Sequence, residues 1–173
     1  ALLGGDAQGA RWINLGDTPL NTTWRLDAGF ARFFVKTNSA AGRAMLVAEA
    51  DGLRELARAA AIRVPAPAAC GEASGVAFLA LEWLDLAGGG RDAALGAGLA
   101  RLHRTTALTH GWHRDNTIGT TPQDNAWTDD WATFFRDRRI APQLALAARH
   151  GYGGRLQRDG ERLLAAIPAL LAG

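Results

Sequence analysis

The chain has 173 residues, 48% hydrophobic and 21% charged, the balance of a globular protein long enough to bury a core without disulfides or a structural metal. Lys and Arg total 19 against 17 Asp and Glu, a formal charge of +2 with no dense basic run, which gives nucleic-acid binding no support. No apolar stretch reaches the roughly eighteen residues that span a bilayer, no basic-then-apolar leader is present, and the lone Cys70 cannot close an internal disulfide, so a cytoplasmic protein without membrane or nucleic-acid partners is expected.

The chain opens on Ala1, so the numbering is expected to start inside a longer protein. Ala10 to Leu15 reads as a strand, followed by the turn-rich Gly16-Asp17-Thr18-Pro19. Thr22 to Leu26 is β-branched and aromatic; Asp27-Ala28-Gly29 turns the chain, and Phe30 to Thr37 returns. A helix follows over 41–61, because Leu46, Ala50, Leu53, Ala57 and Ala60 recur at spacings of three and four. Pro65 and Pro67 end that segment, and a strand pair, 68–72 and 76–83, turns at Ala73-Ser74-Gly75. Gly88-Gly89-Gly90 marks a lobe boundary, giving an N-terminal lobe over 1–84, a linker over 85–91 and a helical part over 92–173. In that part 92–104 carries Leu95, Leu99 and Leu102 on one face. The segment 128–150 opens on Asp129 and Asp130 and is interrupted by Pro142, and 155–167 stops at Pro168. Three strands, a helix and two strands form the order of the small lobe of kinase-type folds.

Glu49 sits three residues after Leu46 and four before Leu53, inside the apolar stripe, where a carboxylate needs a partner. Lys36, which closes the strand Phe33-Phe34-Val35-Lys36, is the candidate, and a lysine paired with a helical glutamate is how kinases hold nucleotide phosphates. A solvated lysine and a boundary glutamate facing water fit the same spacing. Gly16-Asp17 stands where a phosphate-covering loop would lie, or is an ordinary hairpin turn in which Pro19 removes a donor; Gly4-Gly5-Asp6 is a rival placement. Phe78 to Leu84 runs from a buried strand into the joint. The loop 111–119 is polar and aromatic, as functional loops are; His113 with Asp115 is a conceivable acid/base pair, and Trp127 could stack on a sugar ring. His103, His110 and His113 lack a recognisable metal-ligand spacing, so no metal site is expected.

Together these segments resemble the fructosamine (ketosamine) kinase family. The resemblance rests on Leu20-Asn21-Thr22-Thr23-Trp24-Arg25-Leu26, on Phe33 to Asn38, on Phe78 to Leu84, and on Leu99-Ala100-Arg101-Leu102-His103. It rests most specifically on 111–119 with Pro122-Gln123-Asp124-Asn125-Ala126-Trp127-Thr128-Asp129-Asp130-Trp131, then Phe134-Phe135 and Arg138-Arg139. The resemblance implies an α+β, protein-kinase-like fold: an antiparallel five-stranded N-terminal lobe with one helix, then a partial helical C-terminal lobe. It implies transfer of the ATP γ-phosphate, with Mg²⁺, to a sugar hydroxyl of a ketosamine or glycated protein. Lys36 would hold the phosphates, Glu49 would position Lys36, Gly16 and Asp17 would cover the phosphates, and Glu82, Trp83 and Leu84 would receive the adenine. His113, Asp115, Asn116 and Trp127 are the candidates for substrate contact. The family's catalytic His-Gly-Asp segment occurs nowhere in the sequence. The catalytic and metal-holding aspartates are therefore expected beyond Gly173, and the chain alone is expected to be inactive. A non-catalytic nucleotide-binding remnant and an aminoglycoside-type small-molecule kinase are the competing readings, and the oligomeric state is not legible.

Overall fold

The computed structural model describes residues 9–86 and 92–172. The glycine run at 88–90, the start of the chain at Ala1 and the rival Gly4-Gly5-Asp6 placement lie outside the described residues. The chain divides into two compact units, Ala1–Thr106 and Ala107–Gly173.

In the first unit, β1 (Arg11–Asp17), β2 (Thr22–Ala28), β3 (Ala31–Ser39), β4 (Pro67–Ala73) and β5 (Val76–Glu82) form one antiparallel sheet in the order β1-β2-β3-β5-β4. Short turns dictate most of the pairing. Gly29 (φ 61°) and Phe30 join β2 to β3, while Ser74 (φ 51°) and Gly75 (φ 76°) join β4 to β5 with both residues left-handed, the backbone that matches strand twist in a two-residue hairpin. A single 3-10 turn, Ala40–Gly42, leads into α1 (Arg43–Arg58), which stops three residues short of the expected end because Ala60 turns left-handed at φ 48°.

Alternation along β3 sends Phe34 and Lys36 to one face of the sheet and Phe33, Val35 and Thr37 to the other. On the first face Leu46 and Ala50 of α1 pack against Ala77, Leu79 and Leu81, with Phe34, Leu53 and Cys70 at the margin. Burying Leu46 completely contributes about 2 kcal/mol, and it is the helical stripe legible in the sequence that brings it there. On the second face Leu26, Val35 and Ala80 are buried beneath Trp24, Phe33 and Phe78. Helix α2 (Asp92–Leu102) also belongs to the first unit: an Arg101 Nη donates to Ala61 O at 3.1 Å, and Gly98 sits against Ile62.

The second unit holds a hairpin the sequence reading treated as pure loop: β6 (Asn116–Ile118) and β7 (Thr121–Gln123), turning at Gly119 with φ 59°. Three-residue strands with Pro122 in one of them carry no alternating pattern to detect. Asp130 caps α3 (Trp131–Phe135), accepting the Thr133 N–H at 2.6 Å. Pro142 does not split the segment. The helix runs on through a π turn, Arg136–Ile140, into α4 (Ala141–Arg149). The wider turn accommodates the pyrrolidine ring, and the Arg138 carbonyl, which Pro142 cannot serve, accepts from the Arg139 guanidinium at 2.9 Å. Helix α5 (Arg155–Leu170) likewise continues past Pro168, where an end was expected, and packs Gly160 against Leu144 of α4.

Candidate functional site

A cleft of about 900 Å³ opens in the first unit, lined on the sheet side by Leu15, Phe34, Lys36 and Leu81, on the helix side by Glu49 and Leu53, and by Pro65 and the run Glu82 to Leu86. That volume lies in the range of sites for small organic ligands. The walls are mostly apolar and the polar groups are few, so those few groups set what the cleft can recognise.

Lys36 and Glu49 are the charged pair inside it. Lys36 Nζ donates to Glu49 Oε1 at 2.6 Å, with the two side chains 25% and 31% exposed. Strand alternation aims Lys36 toward α1, and helix periodicity turns Glu49 toward the sheet, so the pairing follows from the two patterns read together. Both side chains are mostly withdrawn from water. The pair presents an ammonium with a fixed origin to whatever enters, which suits an anion such as a phosphate.

The end of β5 forms the second recognition element. The Glu82 N–H donates to Ala66 O at 2.8 Å, and the Glu82 carboxylate takes the Arg63 guanidinium on Oε1 and the Ala66 N–H, at 3.3 Å, on Oε2. Trp83 donates its indole N–H to Asp85 Oδ1 at 2.9 Å. Glu82, Trp83 and Leu84, assigned from the sequence to one site with Lys36 and Glu49, line the same cleft.

Gly16 and Asp17 stand apart from that lining. A bulge between Asn14 and Gly16 puts Leu15 into the cleft. The Gly16 N–H donates to Asn14 Oδ1 at 2.7 Å, and its carbonyl accepts the Thr23 hydroxyl at 2.8 Å. The turn after Asp17 closes by Thr18 N–H to Asn21 O at 2.8 Å.

In the second unit Asp115 and Asn116 hold up Asn125, which is 2% exposed. Asp115 Oδ1 accepts the Asn125 N–H at 2.9 Å, and Asn125 Nδ2 donates to Asn116 Oδ1 and Arg114 O, both at 3.0 Å. An Arg139 Nη donates to Asn125 Oδ1 at 2.5 Å and the other to Asp124 O at 2.8 Å, while Arg138 pairs with Asp124. Burial lowers the Arg139 guanidinium from its ordinary value, with Asp124 opposing the shift. Trp127 is 52% exposed, and His113 is exposed beside Trp112 with ring centroids 5.1 Å apart. The sequence reading passed over Asn125 and Arg139 as functional residues. A polar side chain buried at the centre of a loop gives no periodic signal; the polar, aromatic character of 111–119 and Trp127 drew attention to the region, and Asn125 and Arg139 entered only through the resemblance.

The fructosamine kinase family model matches residues 5–173. The chain belongs to the fructosamine kinase family. Among curated relatives, a "Probable ketoamine kinase" of Synechocystis is 44% identical over 133 residues, covering 75% of this chain and 45% of its own length. A chloroplastic protein-ribulosamine 3-kinase of Arabidopsis thaliana is 42% identical over 138 residues, covering 78% and 41%. The crystal structure of a fructosamine-3-kinase homologue from Haemophilus somnus superposes with a TM-score of 0.81 at 28% identity, over 91% of this chain and 55% of that one. A counterpart from Thermobifida fusca gives 0.79 at 29%, over 95% and 58%. The fold is thus protein-kinase-like. The chain spans a little under half the length of the curated relatives it matches.

Proposed function

We propose that this chain is the nucleotide-binding part of an ATP-dependent kinase acting on ketosamines, free or protein-bound. The observation that carries the reading is the Lys36–Glu49 pair at 2.6 Å inside a cleft that also takes in Glu82, Trp83 and Leu84. Lys36 would neutralise phosphate charge while Glu49 holds the ammonium in place, and the backbone from Glu82 to Leu84 would receive the edge of the base. With the Gly16 N–H already donated to Asn14, the first phosphate contact falls to Lys36, and Gly16 and Asp17 cover the phosphates only if that turn opens. The proposed lobes are 1–84 and 92–173 with the joint at 85–91.

Among the described residues no three His, Cys, Asp or Glu side chains gather as a metal site. Mg²⁺ at a nucleotide site is held through one or two carboxylates together with the phosphates, and the proposed part of Lys36, Glu49 and 82–84 is to bind and orient the nucleotide. Phosphoryl transfer also needs an aspartate to accept the hydroxyl proton, and no His-Gly-Asp segment occurs in the sequence. The 173 residues alone are proposed to bind ATP without transferring its γ-phosphate. His113, Asp115, Asn116 and Trp127 remain the proposed substrate side, with Trp127 as the exposed ring and Asp115 and Asn116 acting through the loop they brace. The test is incubation with ATP, Mg²⁺ and fructoselysine followed by mass spectrometry. Absence of phosphorylated product is expected. Product that disappears in Lys36→Ala would show a transfer base within the chain and overturn the assignment of the aspartate.

A further inference from the structure

The joint after β5 is clasped on both sides, and the clasp on Trp83 comes from a strand that has no place in the cleft. The indole N–H is fixed to Asp85 Oδ1 at 2.9 Å, which closes the backbone between the two residues into a short loop. Across the ring the Arg25 guanidinium lies 5.8 Å from the indole centroid, within cation–π range. Arg25 is itself aimed by Asp27, its Nη2 lying 2.9 Å from Asp27 Oδ2, and Arg32 Nε approaches the other carboxylate oxygen at 3.8 Å. Arg25 Nε and Asp27 Oδ1 are buried without a hydrogen-bond partner, so the cluster bears a desolvation cost for its place beside Trp83. Trp83 and Asp85 line the nucleotide cleft and also a second depression with Asp27, Gly29, Phe30 and Arg32. The indole therefore forms the wall between the cleft and the β2–β3 hairpin.

We infer that Arg25 and Asp85 are positioning residues for the nucleotide, holding Trp83 so that the backbone of 82–84 is presented to the base in one conformation before binding. The inference rests on the nucleotide reading of the cleft. Neither side chain needs to touch the ligand. A joint fixed in advance spends less ordering entropy on association, and a joint that samples several conformations binds with an affinity reduced by the fraction that is competent. The other flank is already fixed by Glu82 with Arg63 and Ala66, so the conformation of the joint depends on what holds Trp83.

The test is a double-mutant cycle on ATP affinity, measured by calorimetry on the 173-residue chain. Arg25→Ala and Asp85→Ala are each expected to weaken ATP binding by roughly fivefold, the size of one modest polar interaction. Trp83→Phe keeps an aromatic ring but cannot donate to Asp85. If Asp85 acts through the indole, Asp85→Ala in that background costs nothing further, and Arg25→Lys recovers most of the loss seen in Arg25→Ala. The emission of Trp83, taken as the difference between each protein and its Trp83→Phe counterpart because the chain has six tryptophans, supplies the readout that a general loss of stability would not move: Asp85→Ala shifts it in the folded protein without nucleotide. Affinities that multiply independently in the cycle, or variants that bind as wild type does, would overturn the inference while leaving the nucleotide site intact. Wild-type chain that does not bind ATP would overturn both, and that first titration separates the two failures. Should Arg25→Ala unfold the sheet, Asp85→Ala, on an exposed residue outside the strands, decides the question alone.

Discussion

Replacing Lys36 with Met separates the role of the ion pair in binding from its role in folding. The two side chains are 25% and 31% exposed, between the exposed pairs that contribute about 0.2–1 kcal/mol and buried pairs whose disruption costs about 3–5 kcal/mol. Met also regains apolar contact beside Phe34 and Leu53, so the net loss of stability should be about 1 kcal/mol. Binding should suffer more. A charge-assisted hydrogen bond to phosphate contributes about 1.5–3 kcal/mol, and Lys36→Met also leaves the Glu49 carboxylate facing the phosphates uncompensated. Their sum is near 3 kcal/mol, about a hundredfold in ATP affinity. Adding Glu49→Gln removes the repulsion and should restore part of that loss, although Glu49→Gln in an otherwise wild-type chain weakens binding by freeing Lys36. Calorimetric titration with ATP, alongside thermal melting, reads both quantities. An ATP affinity within twofold of wild type in a folded Lys36→Met protein would refute the reasoning.

Asn125→Ala should destabilise the second unit by about 2 kcal/mol, because it strands a half-buried Arg139 Nη and the Arg114 carbonyl together; urea unfolding measures it. Gly160→Ala places a Cβ 2.5 Å from Leu144 Cδ2 and 3.1 Å from its Cγ, so α5 should lose about 1–2 kcal/mol despite alanine's better helix propensity, and Leu144→Ala in the same chain should relieve the clash in a melting experiment. Hydrogen bonds from the Thr133 hydroxyl and N–H hold the Asp130 carboxyl below the usual carboxylate range. Its contribution to stability is therefore fully present above the unfolded carboxylate value of about 3.9 and is lost as pH falls through the lower folded value. Asp130→Ala should melt lower than wild type at neutral pH, the difference closing in acid, whereas Asp130→Asn keeps the cap and flattens the pH dependence.

Periodicity made the first unit legible. The three-four spacing placed Leu46, Glu49 and Ala50 on one side of α1 and turn residues set the hairpins, while strand alternation, not used on the sequence, puts Phe34 and Lys36 on one side of β3. The same alternation, carried to β5, would have found Leu81 opposite Phe34 in the cleft. Leu15 was out of reach, since a bulge that re-aims a side chain breaks the count on which alternation depends. The prolines misled in a consistent way. At Pro142 and Pro168 a missing N–H suggested a helix end, but a π turn at the first and packing of α5 through Gly160 and Ile167 kept the helices going. The braces of the second unit, Asp115 and Asn116 around Asn125, are contacts between residues ten and nine apart across a loop, and no local rule for a helix or strand joins them.

Hydrogen–deuterium exchange with and without ATP tests the central claim most directly, because it asks where a nucleotide binds. Protection confined to peptides covering Leu15, Phe34 to Lys36, Glu49 and Leu81 to Leu86 is the predicted result. Unchanged exchange at saturating ATP, or protection concentrated in 111–131, would contradict it.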